Sequence, residues 1–194
     1  MESYVDKRVK RSVTDIKEAF LQVLKQKSFK EITISEIIRE ANYSRGTFYA
    51  HFESKEQVLD QIISETLQEM IEQIKVPYKQ FTKVNLKELK LEDIMLFEYF
   101  IEHATLYKLL LSQRIQVDFR YQMAKTIEQL FLTEYEYVID SKTLDIKWLY
   151  IYRSHGLAGM IIRWIEDDFQ ESSKFMSQQV VELMLTSTPL FYVK

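Results

Sequence analysis

The segment from Ile32 to Lys55, ITISEIIREANYSRGTFYAHFESK, constrains the fold more than any other part of the chain. Thr33 precedes an apolar helical repeat and Glu36 follows three positions later, a spacing typical of a capping box at a helix start. Asn42 stands at the expected end of that helix, and Asn tolerates the left-handed conformation that ends many helices. Ser44 can then cap a second short helix. Two short helices joined by a tight turn indicate a helix-turn-helix.

The second of these helices is expected to contact DNA. In a helix-turn-helix the second helix enters the major groove, where its exposed side chains meet bases and phosphates. Phe48 and Phe52 are expected to point into the core, and Ser54 with Gln57 repeats the capping-box spacing at the next helix start. The remaining positions carry polar groups, namely Arg45, Thr47, Tyr49 and His51. The alternative interpretation is that these are ordinary exposed residues of a helix.

The same segment resembles the TetR/AcrR family of bacterial transcriptional regulators. The ordered string Ser-Arg-Gly-Thr-Phe-Tyr-x-His-Phe-x-Ser-Lys-Glu, which begins at Ser44, is far more specific than a general helix-turn-helix pattern. Asn42 and Tyr43 depart from the family, in which many members have Gly and a small aliphatic residue there. The resemblance is strong over the first third of the chain. Two later stretches, 97–111 and 156–167, resemble a subgroup of the family's C-terminal domains.

The chemistry of the motif and the resemblance together suggest roles for these residues. Arg45 is the best candidate for bidentate recognition of guanine, while Thr47 offers a methyl group and a hydroxyl. Ser44 is expected to face a phosphate at the helix start. Gly46 lacks a side chain where the DNA backbone would come close. The resemblance implies phosphate contacts for Tyr49, His51 and Lys55. The predicted DNA-binding set, which also includes the start of the first motif helix, is Thr33, Ser44, Arg45, Gly46, Thr47, Tyr49, His51 and Lys55.

The charge of the chain is distributed unevenly. The net charge is −3, but residues 1–55 carry eleven Lys or Arg and eight Asp or Glu, whereas the remainder carries fifteen and twenty-one. The N-terminal part is therefore at +3 and the rest at −6, which favours a phosphate-binding surface in the first part. Lys7, Arg8, Lys10 and Arg11 begin the first helix, and they are either a solvated helix end or phosphate contacts.

Composition and motifs argue against several other classes of protein. Cysteine is absent, which excludes disulfides, thiolate metal sites and a cysteine nucleophile. The three histidines have no partner at metal-binding spacing, and no P-loop, GxGxxG or GxSxG motif occurs, so we expect no enzyme, metal or cofactor. Charged residues interrupt the most apolar window, 146–165, and no signal peptide is evident. We expect a soluble cytoplasmic protein that does not bind a membrane.

Apolar residues recur at helical spacing along the chain, and strand signals are missing. Only 3 Gly and 2 Pro occur, so long helices are expected. We predict an all-α fold of about nine helices, with a three-helix DNA-binding domain in residues 1–55 and a larger helical effector-binding and dimerisation domain in residues 56–194. Outside the motif, helices are predicted at 9–27, 54–75, 91–103, 105–112, 117–138, 145–169 and 173–187.

Two glycines three positions apart, Gly156 and Gly159, interrupt the second-last predicted helix. Each costs about 1 kcal/mol relative to Ala, which suggests that another backbone comes close, although a plain core helix is the alternative. In the TetR/AcrR family the last two helices of each subunit form a dimer interface. The resemblance therefore implies a homodimer whose interface contains Trp148, Gly156, Gly159, Met160, Trp164, Val180, Leu183 and Met184.

The fifth to eighth helices are rich in aromatic, Met and His residues. A packed core is the default interpretation, but ligand pockets of the family lie between these helices. The resemblance implies a small apolar or aromatic ligand near Tyr99, His103, Tyr107, Phe119, Met123, Tyr152 and His155. The expected function is a dimeric repressor that a small molecule releases from an inverted-repeat DNA operator. The alternative is a DNA-binding regulator or architectural protein controlled by a protein partner.

Overall fold

The computed structural model describes residues 4–90, 92, 94–139 and 141–186, and within them the chain forms α-helices and no strand. This confirms the predicted all-α fold. Two short 3-10 turns, Phe29–Glu31 and Val76–Tyr78, flank the helix-turn-helix and its following helix. The helices are α1 (Tyr4–Gln26), α2 (Ile34–Ala41), α3 (Arg45–Tyr49), α4 (Lys55–Lys75), α5 (Leu96–Glu102), α6 (Ala104–Leu111), α7 (Phe119–Glu134), α8 (Ile146–Glu166) and α9 (Ser173–Leu185).

Several helix bounds differ from the predicted ones. Helix α5 begins at Leu96, and the predicted start at residue 91 lies outside the described residues. Helix α7 ends at Glu134, earlier than predicted. The aromatic residues that follow pack their rings against other side chains and do not continue the helix. The hydroxyl of Tyr150 donates a hydrogen bond to the carbonyl oxygen of Tyr135 at 2.7 Å, which satisfies a backbone acceptor left by the helix end.

The chain divides into two compact units, which do not coincide with two continuous segments. The first unit contains Met1–Thr66 and Leu109–Phe119, and the second contains Leu67–Lys108 and Arg120–Lys194. Helix α4 contributes residues to both. The predicted boundary after residue 55 separates a DNA-binding domain from an effector domain. The two compact units do not test it, and it stays a prediction.

Large apolar side chains form the interior of the first unit, in which α1 packs against α2. In α1, Ile16, Phe20 and Leu24 are fully buried. Residues 109–119 also belong to this unit, and the carbonyl oxygen of Arg114 accepts a hydrogen bond from the backbone N–H of Phe29 at 2.8 Å. The unit is therefore more than a helix-turn-helix, because a segment distant in sequence completes it.

The second unit has an aromatic interior and includes the packing of α5 against α9. Phe97, Phe100 and Tyr107 are fully buried, and the Phe100 and Tyr107 rings meet edge to face with centroids 4.7 Å apart. No helix in the described residues is long and apolar enough to cross a membrane.

Candidate DNA-binding surface

Short-range hydrogen bonds determine the geometry of the helix-turn-helix. Thr33 accepts a hydrogen bond from the N–H of Glu36 at 3.3 Å, and the Glu36 carboxylate accepts one from the N–H of Thr33 at 3.0 Å, so the predicted capping box is present. Asn42 has φ 55°, the predicted left-handed conformation. Ser44 caps α3 by accepting from the N–H of Thr47 at 3.1 Å.

Two phenylalanines attach the buried side of the recognition helix α3 to the interior of the first unit. Phe48 and Phe52 are buried, as predicted, and their ring centroids lie 5.9 Å apart. Tyr49 packs edge to face on Phe48 and keeps about half of its surface exposed, at 52%. The burial of one side of α3 leaves Arg45 and Tyr49 facing solvent. Helix α3 therefore presents one exposed face to solvent, as binding in a DNA groove requires.

Helix α1 supports the motif through two polar residues that the sequence interpretation did not identify. The hydroxyl of Tyr43 donates to the Asp15 carboxylate at 2.8 Å, and this hydrogen bond raises the pKa of Tyr43. Tyr43, whose departure from the family pattern left its role open, thus joins the turn to α1.

The second polar residue of α1 is Ser12, which is almost fully buried. Its hydroxyl donates to the carbonyl oxygen of Val9 at 2.9 Å and lies 2.7 Å from Nε2 of His51. This contact joins α1 to His51, which lies two residues after the end of α3. A polar residue within the apolar face of α1 was the sequence signal for this contact.

Arg45 is held by a residue of α2. Its Nη2 donates to the hydroxyl of Ser35 at 2.8 Å, and both side chains are exposed. Thr47 is half-buried, and its hydroxyl lies 3.0 Å from that of Ser44. Ser35 was missing from the predicted site because only the fold brings the start of α2 next to the start of α3.

Gly46 has no structural need to be glycine within the protein. An added Cβ would lie 3.7 Å from the Ser44 hydroxyl oxygen, which is an ordinary van der Waals distance. A close approach of DNA at this position therefore stays a prediction.

Lys55, for which a phosphate contact is predicted, binds carbonyl oxygens of its own chain in this structure. Its ammonium donates to the carbonyl oxygens of Phe29 at 2.8 Å, Ile32 at 2.7 Å and Lys30 at 3.3 Å. An ammonium has three hydrogens, so these carbonyls use all of its donors. Nearby, the predicted capping box at Ser54 is only half formed, because the Gln57 side chain accepts from the N–H of Glu53.

Comparison with known proteins agrees with this geometry. Residues 16–62 match the family model described as bacterial regulatory proteins of the tetR family, and residues 93–186 match a TetR model described as a transcriptional regulator C-terminal region. The chain belongs to the TetR family. Both matching family models describe regulatory proteins.

Curated HTH-type transcriptional regulators match this chain over part of their length. The HTH-type transcriptional regulator YxbF of Bacillus subtilis (strain 168) is 38% identical over 76 residues, which are 39% of this chain and 20% of that protein. The regulator YwcC of the same organism is 24% identical over 151 residues, 73% of this chain and 65% of that protein. The chain therefore spans less than two thirds of either relative.

Solved TetR-type structures share the fold over nearly the whole chain. A TetR transcriptional regulator from Streptococcus agalactiae 2603V has a TM-score of 0.60 at 20% identity, and the match covers 92% of this chain and 96% of that one. FadR from Bacillus subtilis, solved in complex with stearoyl-CoA, has a TM-score of 0.57 at 18% identity, with coverages of 89% and 97%. At these identities the likeness concerns the fold alone.

Three of the predicted ligand-pocket residues of this TetR-family chain lie together in the second unit. Tyr107 donates a hydrogen bond to the Tyr99 hydroxyl at 3.3 Å, and Tyr99 donates to the Glu69 carboxylate at 3.4 Å. His103 stacks on Tyr99 with ring centroids 4.3 Å apart. Burial raises the pKa of Tyr99 to about 12 and raises that of Tyr107 further, so both phenols stay protonated donors at neutral pH.

The other predicted pocket residues are distributed differently. Phe119 and Met123 are buried, Phe119 in the first unit and Met123 in the second. Tyr152 is 77% exposed, which disagrees with a place in a buried pocket. His155 is also exposed, and its Nε2 lies 3.3 Å from the nearly buried carboxylate of Glu128. Tyr152 and His155 lie on the solvent face of α8, and the buried residues of that helix lie on its other face.

The predicted dimer residues are mostly at the surface of α8 and α9. Trp148 is 62% exposed and Leu183 is 58% exposed, while Met160, Val180 and Met184 are half-buried. Gly156 and Gly159 are exposed, and apart from adjacent residues and the backbone of their own helix, no atom of the described residues lies within 4 Å of a Cβ added to either. Within the described residues, these glycines thus face open space.

Trp164 disagrees with its predicted place in the interface. It is 2% exposed, and its Nε1 donates to the carbonyl oxygen of Glu171 at 3.0 Å. Its ring packs edge to face against Phe97 and Phe169, with centroids 5.2 and 4.8 Å away. The residue is part of the interior of the second unit. Among the described residues, no group of three or more His, Cys, Asp or Glu is arranged to hold a metal ion.

Proposed function

We propose that this TetR-family regulator is a homodimeric repressor that leaves an inverted-repeat operator when a small apolar or aromatic ligand binds. The observation that carries the proposal is the exposed aromatic face of α8. Trp148 and Tyr152 are one helical turn apart and are 62% and 77% exposed. Gly156 and Gly159 continue the same face with open space above them. Such a combination of exposed aromatic and glycine residues favours close packing of a second chain.

A dimer explains how a short recognition helix finds a specific site. Helix α3 has five residues, Arg45–Tyr49, and a single copy contacts few bases. Two copies related by a two-fold axis read two half-sites about 34–36 Å apart, so the specificity of the pair is the product of both. We assign Arg45 and Thr47 to base contacts, with Tyr49 and Ser44 directed at phosphates.

The proposed ligand site centres on the Tyr99, His103 and Tyr107 cluster. Its apolar rings with a few hydroxyl and imidazole groups are the usual composition of a small-molecule pocket. The complex of Bacillus subtilis FadR with stearoyl-CoA supports the idea that this fold accommodates an apolar ligand. Helix α4, which runs from Lys55 to Lys75, is the covalent link through which ligand binding would alter DNA binding.

Selection of bound sequences from a random DNA library tests the DNA-binding part of the proposal. An enriched inverted repeat, bound by a protein that sediments as a dimer, is the expected result. Enrichment of a single half-site by a monomer would contradict the dimer. Salt-sensitive binding without enrichment would point to an architectural or partner-controlled role instead.

The ligand part is tested on the selected operator. Stearoyl-CoA and a panel of small aromatic compounds are titrated into the complex, and bound DNA is followed by fluorescence anisotropy. We expect at least one compound class to release the DNA from wild-type protein but not from a Tyr107→Leu variant that still binds the operator. Equal release from both proteins would refute the assigned cluster.

A further inference from the structure

The Lys55 ammonium occupies an unusual environment for an expected phosphate ligand. It is the first residue of α4, and its side chain is half-buried against the 3-10 turn Phe29–Glu31. It lies 4.7 Å from the centre of the Phe29 ring, which adds a cation–π contact to its three carbonyl hydrogen bonds. We refer to this set of carbonyl and ring interactions as the Lys55 contact.

The Lys55 contact matches the chemistry of lysine more closely than that of arginine. The three carbonyl oxygens, which belong to Phe29, Lys30 and Ile32, converge on one nitrogen. An ammonium directs three hydrogens from a single atom, whereas a guanidinium spreads its donors across a plane. The carbonyl oxygen of Phe29 also accepts from the N–H of Ile32 at 3.3 Å, whereas those of Lys30 and Ile32 lie at the end of the 3-10 turn, where a cation satisfies acceptors that would otherwise need water.

The position of the contact in the chain gives it a consequence for DNA binding. Ile32 directly precedes Thr33, which caps α2, and Lys55 is the first residue of α4. Both helices of the helix-turn-helix lie between these two residues in sequence. A bond from Lys55 to Ile32 therefore closes a loop that contains α2 and α3. Closing it restricts the orientation of α3 relative to α4.

We propose that Lys55 is a positioning residue for the recognition helix, acting through its contact with the carbonyl oxygens of Phe29, Lys30 and Ile32 and not through a DNA phosphate. The proposal rests on the proposed function only for its DNA-binding consequence. Phe29 itself is buried, and its N–H donates to Arg114, so the turn that receives Lys55 is held from both sides. A fixed turn is what allows the contact to orient α3.

The test compares three variants with wild-type protein. Lys55→Met removes the donors and the charge but keeps an unbranched apolar stem, and Lys55→Arg keeps the charge without three convergent donors. Lys30→Met is the matched control, because it removes one charge from an exposed lysine of the same turn. Each protein is titrated with the selected operator at several salt concentrations, well below its melting temperature. Hydrogen exchange of residues 28–41 is measured separately without DNA.

For Lys55→Met we expect operator binding to weaken about tenfold, as for one lost charged hydrogen bond, with an unchanged salt slope. Exchange of residues 28–41 should become faster, while residues 96–102 exchange as in wild type. Lys55→Arg should show the same changes to a smaller degree, and it keeps the test valid if Lys55→Met does not fold. Lys30→Met should exchange like wild type.

Other results would overturn the proposal. A salt slope reduced by about 0.9 in Lys55→Met, with Lys55→Arg binding like wild type, would identify a phosphate contact. Wild-type affinity and exchange in both Lys55 variants would show that the contact orients nothing. If wild-type protein bound no DNA at all, the proposed function would fail, and unchanged or faster exchange in residues 28–41 would still decide the role of Lys55.

Discussion

The helix-turn-helix and the region between α7 and α9 end their helices in different ways. In the first region, the side chains of Thr33 and Ser44 and the left-handed Asn42 mark the helix boundaries within a few residues of where they act. In the second region, Asp145 and Ser172 also cap the starts of α8 and α9 locally, but distant residues hold the end of α8. The α8 end continues through Asp168 and Phe169, which have φ 61° and φ 57°, and it is held by residues from other parts of the unit.

The contacts at the α8 end illustrate this dependence. Lys108 of α6 forms an ion pair with Asp168, and its ammonium lies 5.2 Å from the centre of the Phe169 ring. The Phe169 ring also packs on Trp164. Two consecutive non-glycine residues in the left-handed region are costly, and only surrounding contacts maintain them. The helix boundaries of the helix-turn-helix are thus specified locally, whereas the end of α8 depends on interactions distant in sequence.

The largest expected effects come from removing a buried ring in each region. Phe48→Ala and Phe100→Ala should each lower the free energy of unfolding by about 3–5 kcal/mol, because each leaves a cavity in place of a fully buried ring. Urea unfolding monitored by circular dichroism measures the loss. Hydrogen exchange should place the Phe48→Ala effect in residues 34–66 and the Phe100→Ala effect in the second unit.

An exposed aromatic residue provides the control for both cavity variants. Tyr121 is 55% exposed, so Tyr121→Ala should change the free energy of unfolding by less than about 1 kcal/mol. If Phe48→Ala increased exchange equally in both units, the first region would not be an independently specified element, and the comparison would fail.

The next largest effect concerns dimerisation through the second unit. Trp148→Ser removes a large exposed ring, and we expect the dimer to weaken by about 2 kcal/mol, a roughly 30-fold higher dissociation constant. Sedimentation at several protein concentrations measures it. Tyr121→Ser, an exposed aromatic residue on α7, is the matched control and should leave the dissociation constant unchanged. An unaffected dimer in Trp148→Ser would remove α8 from the proposed interface.

The same local-versus-distant distinction explains what the sequence could predict. The Thr33 capping box, the Asn42 conformation and the inward Phe48 all follow from spacing, so they were predictable and are confirmed. The burial of Trp164 and the carbonyl partners of Lys55 depend on residues that are distant in sequence or on turn geometry. No periodicity reveals such partners, and the resemblance to a family suggested different roles.

A medium effect should separate the two left-handed helix ends. Asn42→Ala should cost about 1 kcal/mol, because Ala tolerates a positive φ poorly, whereas Asn42→Gly should stay within about 0.5 kcal/mol of wild type. Asp168→Asn keeps a residue that tolerates this conformation and removes only an exposed ion pair, so about 0.5 kcal/mol is expected at most. Thermal unfolding of the three variants measures the order. A larger loss for Asp168→Asn than for Asn42→Ala would reverse the comparison.

The smallest effect tests whether the local capping signal is itself charge-dependent. The hydrogen bond from Lys27, followed by those from the backbone and hydroxyl of Thr33, lowers the pKa of Glu36 from 4.5 to about 2. A carboxyl whose pKa is lower in the folded state stabilises the fold above its unfolded pKa, and the stabilisation is lost as the pH falls toward the folded value. The stability advantage of wild type over Glu36→Gln should therefore disappear between pH 4.5 and about 2.

Melting temperatures at intervals of half a pH unit measure the difference in stability. The control is Glu40→Gln, which changes an exposed carboxylate of the same helix. If the difference between wild type and Glu36→Gln stayed constant across this window, the cap would act through its geometry alone, and the charge of Glu36 would contribute nothing to the local specification of α2.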